Sequence, residues 1–209
     1  MTPRPYSRNQ LRRRRESETP RETVLIVCEG AKTEKLYFEG LRGRLRIPNV
    51  AVKVCGKECG SAPKSVVDFA VQHFGEEYDH CWCVIDVEAP RPHKTLAQAL
   101  NKASGNGMQV ALTNPCFEFW YILHFEKYTK AFNTNAKVRQ RLKRHIPRYG
   151  KGRTDIFDKL FPFIRTAVEN AAQVLIDKQC GENLSKHNPS THVHRLVHLL
   201  YQLADKTIE

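Results

Sequence analysis

The chain has 209 residues, of which 41% are hydrophobic, and a formal net charge of +12. This length fits one domain, or one domain with a helical appendage, and no apolar run approaches the roughly 18–20 residues of a membrane span, so we expect a cytoplasmic protein without membrane contact. Its seven cysteines are odd in number and several lie in apolar runs, which favours reduced, buried thiols over a disulfide framework.

The first 21 residues predict a basic flexible arm. They are polar and include the run Arg12-Arg13-Arg14-Arg15, which either binds phosphate or is simply a basic tail. An alternation of apolar strands and amphipathic helices follows the arm. The predicted elements in chain order are a strand at 23–28, a helix at about 33–45, a strand at 50–55, a helix at 61–74, a strand at 81–86, a helix at about 94–103, a strand at 109–112 and a helix at 116–125.

This alternation predicts an α/β fold. Four strands that alternate with helices, without a hairpin signal, imply parallel βαβ units. Asn114 and Pro115 have the pattern of an N-cap followed by proline in the first helical turn. We therefore predict a mostly parallel sheet of about four strands flanked by helices in residues 22–130. A basic helical extension in 131–209 packs on this core, with helices at about 134–146, 154–178 and 190–205.

Acidic residues stand where two of the predicted strands end. Glu29 follows the first strand, and Asp86 and Glu88 end the third. Because parallel strands end at one edge of a sheet, we expect these carboxylates to converge on one crevice, with Asp86 and Glu88 on the same side of an extended backbone. Carboxylate oxygens are the ligands that Mg²⁺ prefers, so the pattern predicts a site for Mg²⁺ or Mn²⁺.

The residues after the strand ends add further candidates. Gly30 permits a tight turn from strand to helix, which leaves helix N–H groups near Glu29 for an anion. Lys32 contacts either phosphate or water, and Glu34 is expected to favour the first helical turn through the helix dipole. Glu118 lies in an apolar stretch near the same sheet edge, where it either stabilises a helix N-terminus or belongs to the site.

Positive charge is concentrated in one stretch. Residues 127–165 hold twelve Lys and Arg against two Asp. Clustering of this kind favours a phosphate backbone as the partner, although a solvated helix face is the structural alternative. The residues expected to hold a DNA or RNA backbone without reading its sequence are Arg139, Arg141, Lys143, Arg144, Lys151 and Arg153.

Three segments carry a resemblance to known families. They are Cys28-Glu29-Gly30-x-x-Thr33-Glu34-x-x-Tyr37-Phe38, Asn114-Pro115-Cys116-Phe117-Glu118-Phe119-Trp120 with His124-Phe125, and Asn188-Pro189-Ser190-Thr191-x-Val193-His194-x-Leu196-Val197. Together they resemble the RloB family of bacterial restriction-linked or abortive-infection proteins, over about residues 22–203. Glu29-Gly30 after a strand, followed two strands later by Asp86-x-Glu88, also resembles the Toprim catalytic domain of topoisomerases, primases and nucleases. The usual Toprim pattern is Asp-x-Asp, so Glu88 lengthens one arm of the pair.

The Toprim resemblance implies Mg²⁺-dependent chemistry at phosphodiesters. Asp86 and Glu88 would hold the ion, which polarises the phosphodiester and lowers the pKa of a bound water. Glu29 would either complete the metal shell or act as general base, with Lys32 neutralising phosphoryl charge and Glu118 as a further catalytic candidate.

Hydrolysis is the favoured reaction. A topoisomerase needs a nucleophilic tyrosine on a separate domain, and a chain of this length leaves little room for one. We therefore expect a nuclease of a bacterial phage-defence system, acting on DNA or RNA, with a partner protein from the defence operon left open. One alternative is a non-catalytic nucleic-acid-binding or partner-binding module of a defence complex. The other is primase-like nucleotidyl transfer.

Overall fold

The structure is a computed structural model that describes residues 22–54 and 62–208. The predicted basic arm lies outside the described residues, as do Cys55, Cys59 and Ser61 at the predicted start of the second helix.

A five-stranded sheet forms the centre of the molecule. Its strands are β1 (Val24–Cys28), β2 (Val50–Val54), β3 (His80–Asp86), β4 (Gln109–Asn114) and β5 (Ser190–Thr191). The order across the sheet is β2-β1-β3-β4-β5, with the first four strands parallel and β5 antiparallel to β4. All five residues of β1 are buried and apolar, as expected for a central strand covered by helices on both faces.

Helices cover both faces of the sheet. The described residues form eight α-helices, which are α1 (Thr33–Leu45), α2 (Pro63–His73), α3 (Leu96–Gly105), α4 (Glu118–Leu123), α5 (Asn135–Leu142), α6 (Ile156–Leu160), α7 (Ile164–Asp177) and α8 (Val193–Leu203). Helices α2 and α3 pack on one face, where Val66 and Ala99 join one apolar cluster. The remaining helices share a larger cluster on the other face, which includes residues from both halves of the chain. Within the described ranges, no helix is long and apolar enough to span a bilayer.

The predicted α/β fold with a mostly parallel sheet is confirmed, but the helix predicted at 116–125 was too long. Asn114 is the last residue of β4, and its side-chain amide donates to the main-chain oxygen of Leu184 at 2.8 Å instead of capping a helix. Helix α4 begins only at Glu118 and ends at Leu123.

Two further predictions in the C-terminal half were wrong in detail. The helix predicted at 154–178 is interrupted by a 3-10 turn at Phe161–Phe163, because Pro162 has no N–H to donate to the preceding turn. The helix predicted at 190–205 begins at Val193, since Ser190 and Thr191 pair with Asn114 and Thr113 of β4.

The strand order places a topological switch point at the carboxyl edge of the sheet. From β1 the chain crosses to β2 on one side and then returns to β3 on the other side. The carboxyl ends of β1 and β3 therefore flank a topological switch point, where α/β sheets commonly bind ligands.

Candidate active site at the carboxyl edge of the sheet

Glu29 and Asp86 lie side by side at the switch point. Glu29 directly follows β1, Asp86 is the last residue of β3, and the two strands pair with Cys28 beside Val84. The main-chain N–H of Asp86 donates a hydrogen bond to the Glu29 carboxylate. The two strand-end acids that were expected to converge are thus brought together.

Burial and neighbouring negative charge act on Glu29 in the same direction. Burial, followed by repulsion from Glu34 and Glu88, raises the pKa of Glu29 to about 7. The N–H of Asp86 and the ammonium group of Lys151 lower this pKa but do not offset the rise. A carboxyl group that titrates near neutrality has the property that a general acid or base needs.

Asp86 experiences the same effects more strongly. Burial raises the pKa of Asp86 well above its usual range. The negative charges of Glu34, Glu29 and Glu118 raise that pKa further, whereas Lys151 lowers it. We call Glu29, Glu34, Asp86, Glu88 and Glu118 the carboxylate cluster.

Glu34 is a member of the cluster that the sequence analysis missed. It was assigned to the dipole of helix α1, yet it is buried, with 8% of its surface exposed. Burial raises the pKa of Glu34, and the negative charge of Glu118 adds to the rise. Its carboxylate folds back over Gly30, where an added Cβ would collide with it. Its position in the first segment that resembles the RloB family was the sequence feature that could have identified Glu34 as a site residue.

Glu118 is the most deeply buried carboxylate of the cluster, with 1% of its surface exposed. It is the first residue of α4, and the hydroxyl of Tyr149 donates to its Oε1 at 3.2 Å. The Nζ of Lys151 lies 3.6 Å from the same oxygen, and Nη1 of Arg139 lies 4.0 Å from it. These donors explain how a carboxylate is tolerated in an apolar stretch.

Glu88 reaches the cluster by a different backbone path from the one expected. Strand β3 ends at Asp86, and Glu88 has a left-handed conformation with a φ of 72°. Its N–H donates to the main-chain oxygen of Pro115 at 2.8 Å, which turns the chain back. Asp86 and Glu88 are therefore not paired on one side of an extended backbone as predicted, although Glu88 still lies close enough to raise the pKa of Glu29.

Lys151 is the cation that faces the cluster most directly. Its partial burial opposes the charged form, but Glu118, Glu34 and Asp86 together raise the pKa of its ammonium group. Lys32 lies beside the loop that carries Lys151. A Cβ added at Gly152 of this loop would lie 3.0 Å from Lys32 Cδ. Lys32 is exposed at the start of α1.

The donor chemistry of the cluster fits a hard divalent cation, since all five side chains offer oxygen. However, among residues 22–54 and 62–208, no group of three or more His, Cys, Asp or Glu side chains is arranged to hold a metal ion. The predicted ligands Glu29, Asp86 and Glu88 are thus neighbours without forming a ready coordination sphere.

Comparison with protein families gives one result. The family model described as RloB-like protein matches residues 24–200. The chain belongs to the RloB-like family. Searches of curated proteins and of solved structures found no match.

The three segments that resemble the RloB family pack against one another. In the first and second segments, the ring of Tyr37 makes edge contacts with Phe117 and Trp120, at centroid distances of 5.8 and 6.2 Å. The second and third segments meet where Asn114 pairs with Ser190 in the sheet. The first and second segments therefore meet in the core, and the second and third meet in the sheet.

The basic residues expected to bind nucleic acid fall into different surroundings. Arg141 is paired with Glu126, and Arg153 donates two hydrogen bonds of 2.8 Å to Asp155. By contrast, Lys143 and Arg144 are exposed, and neither forms an ion pair within the described part of the chain.

Proposed function

We propose that this RloB-like protein is a metal-dependent nuclease with a Toprim-like catalytic core that serves in bacterial phage defence. The observation that carries the proposal is the crowding of the carboxylate cluster at the switch point, where Glu29 and Asp86 have raised pKa values. Carboxylates that repel one another at a ligand-binding edge gain stability when a divalent cation binds between them.

Asp86 and Glu88 are the proposed ligands of Mg²⁺ or Mn²⁺, and Glu29 either completes the metal shell or acts as general base. The ion would polarise a phosphodiester and supply a water of lowered pKa. Glu34 and Glu118 contribute negative charge from the buried side of the cluster. Lys151 and Arg139 lie beside Glu118, where they would place positive charge near the phosphoryl oxygens of a bound strand.

As the alternative to binding the ion, Glu29 suits the role of general base. Its pKa of about 7 leaves part of the population deprotonated at neutral pH and still basic enough to accept a proton from water. The N–H of Asp86 orients its carboxylate. Lys32, exposed beside Gly152, is the proposed phosphate contact at the start of α1.

A cleavage assay tests the proposal. Labelled single- and double-stranded DNA and RNA would be incubated with Mg²⁺, Mn²⁺ or EDTA. We expect cleavage with metal only, and a loss of roughly 100-fold or more in rate for Glu29→Gln and for Asp86→Asn. Glu169→Gln and Asp158→Asn are matched controls, because both carboxylates are exposed and paired with surface arginines. Cleavage by wild type that both site variants retained would contradict the proposal.

One observation favours a second candidate, a non-catalytic nucleic-acid-binding module of a defence complex. The described residues contain no ready set of three metal ligands, while Lys143 and Arg144 remain free for phosphate contacts. Such a module would bind nucleic acid equally well with Mg²⁺ or EDTA and would leave all substrates intact. Primase-like nucleotidyl transfer would instead appear as extension of a primer from nucleoside triphosphates.

A further inference from the structure

Three planar side-chain groups pack together around Tyr128, and one of them belongs to helix α5. The rings of Tyr128 and Phe132 are stacked, with centroids 4.8 Å apart and planes inclined by 25°. The guanidinium carbon of Arg141 lies over the Tyr128 ring, 4.7 Å from its centroid. Phe132, at the inner end, is 5% exposed, whereas the side chain of Arg141 at the outer end is 26% exposed. We call Phe132, Tyr128 and Arg141 the planar stack.

Both ends of the planar stack are fixed by hydrogen bonds. The Nε of Arg141 donates to Glu126 Oε1 at 2.6 Å, and its Nη2 donates to the other carboxylate oxygen. At the inner end, the side-chain oxygen of Asn188 accepts from the N–H of Phe132 at 2.9 Å, and its amide donates to the Phe132 oxygen at 2.8 Å. The guanidinium plane is therefore held in place before any ligand arrives, which lowers the entropic cost of binding.

The planar stack lines a cleft of about 470 Å³, which is large enough for a nucleotide. Lys137 and Arg144 also line the cleft, and both are exposed. Gln140 adds a side-chain amide that can donate and accept hydrogen bonds. The cleft thus combines a planar platform, two cations and a polar group.

We propose that this cleft binds an unpaired base of single-stranded nucleic acid. The base extends the planar stack by lying on the outer face of the Arg141 guanidinium group, and the flanking phosphates contact Lys137 and Arg144. The ion pair with Glu126 neutralises the charge of Arg141 but does not cover the flat face of its guanidinium group. Arg141 therefore serves for stacking rather than for phosphate binding. A base inside a duplex is already stacked on both sides and cannot occupy the platform.

Helix α5 connects the cleft to the carboxylate cluster. Arg139 and Arg141 are two residues apart on this helix and so point to nearly opposite sides of it. Arg139 approaches Glu118 on one side, and Arg141 lines the cleft on the other side. A strand held in the cleft therefore needs to cross only the width of one helix, about 10 Å, to reach the cluster. As a substrate-binding site the cleft rests on the nuclease proposed above, but base binding itself requires neither metal nor cleavage.

A binding comparison in EDTA tests the inference without involving catalysis. Fluorescence anisotropy would measure the affinity of the full chain for a labelled single strand and for an abasic strand of the same length and charge, both as DNA and as RNA. Because stacking of one base contributes on the order of five-fold or more to affinity, we expect the base-containing strand to bind at least about five-fold more tightly. Equal affinities for the two strands would overturn the inference, whether or not the protein cleaves nucleic acid.

Two variants separate stacking from charge. Arg141→Lys keeps the positive charge but removes the plane, so the ratio between the two affinities should fall towards one while abasic binding is retained. Lys137→Gln should weaken both strands by the same factor and leave the ratio unchanged. A ratio that survives in Arg141→Lys would overturn the assignment of this plane. Tyr128→Leu, which removes the supporting ring, repeats the test at a second position, and thermal melting confirms that each variant is folded.

Discussion

The protonation of one side chain, Glu29, links the stability of the protein to the proposed chemistry. Its usual pKa is 4.5, and in the folded state burial and the charges of Glu34 and Glu88 raise the pKa to about 7. Between these two pH values the folded protein binds a proton that the unfolded chain has released. The contribution of Glu29 to stability is therefore greatest below pH 4.5 and is lost as the pH rises through about 7.

We expect Glu29→Gln to stabilise the protein at high pH only. Because the neutral amide avoids burying a charge among carboxylates, the free energy of unfolding at about pH 8 should exceed that of wild type by about 1–3 kcal/mol. At about pH 4.5 this gain should disappear, since Glu29 is then protonated in the folded protein. Urea denaturation at both pH values measures the difference, with Glu169→Gln, an exposed glutamate on α7, as the control. A gain that is the same at both pH values would contradict the raised pKa.

Among the elements, the short strand β5 and the residues before it connect the planar stack to the sheet. Asn188 fixes Phe132 through both of its main-chain groups, and Thr191 bonds to Thr113 of β4 through hydroxyls 2.8 Å apart. The third RloB-like segment thus pairs with the carboxyl end of β4 and supports the planar stack. The third segment therefore has a structural role, although it contains no member of the carboxylate cluster.

We expect Asn188→Ala to destabilise the protein, because it leaves the N–H and oxygen of Phe132 without these partners. The free energy of unfolding should fall by about 1–3 kcal/mol, measured by urea denaturation. Asn183→Ala is the matched control, since Asn183 is exposed and accepts from Ser185 N at 2.9 Å in a short 3-10 turn. Its loss should cost about 1 kcal/mol or less. Equal losses for the two variants would contradict the structural importance assigned to Asn188.

The same elements show where sequence reasoning succeeded and where it could not. The buried runs of β1 and β3 and the stripe of α1 are local patterns, and they predicted the parallel sheet and the edge where Glu29 meets Asp86. Strand β5 has two residues and pairs with a strand about 80 positions away, so no local pattern distinguishes it from a helix start. Glu34 was missed because the charges that act on it, those of Glu118 and Lys151, come near α1 only in the folded chain.

At the scale of the whole molecule, the net charge of +12 is not distributed as free cations. Arg153 donates two of its hydrogen bonds to the Asp155 carboxylate, and Arg141 is paired with Glu126. The fold, and not the number of basic residues, decides which cations are exposed and without an ion pair within the described ranges. Lys143 and Arg144 are two such cations. Only cations of this kind can bind a phosphate backbone, and release its counterions, without breaking an ion pair within the protein.

Substitution of two arginines should therefore affect nucleic-acid binding differently. We expect Arg144→Gln to weaken binding and to reduce the slope of log affinity against log salt by about one unit. Arg153→Gln removes the same charge, but from an ion pair with Asp155, so the salt dependence of binding should stay close to that of wild type. Anisotropy titrations over a series of salt concentrations in EDTA give both slopes. Equal slopes for the two variants would show that the ion pairs seen in the structure do not determine which cations bind phosphate.

The most direct test of metal binding by the carboxylate cluster is a calorimetric titration of the protein with Mg²⁺ at about pH 7, in buffers that differ in ionisation enthalpy. Because Glu29 is partly protonated at this pH, metal uptake should release protons, and the release should be smaller in Glu29→Gln. Asp86→Asn should abolish uptake, whereas Asp158→Asn should bind as wild type does. If Mg²⁺ and Mn²⁺ gave no binding heat with wild type, or bound equally well to Asp86→Asn, the carboxylate cluster would not be a metal site.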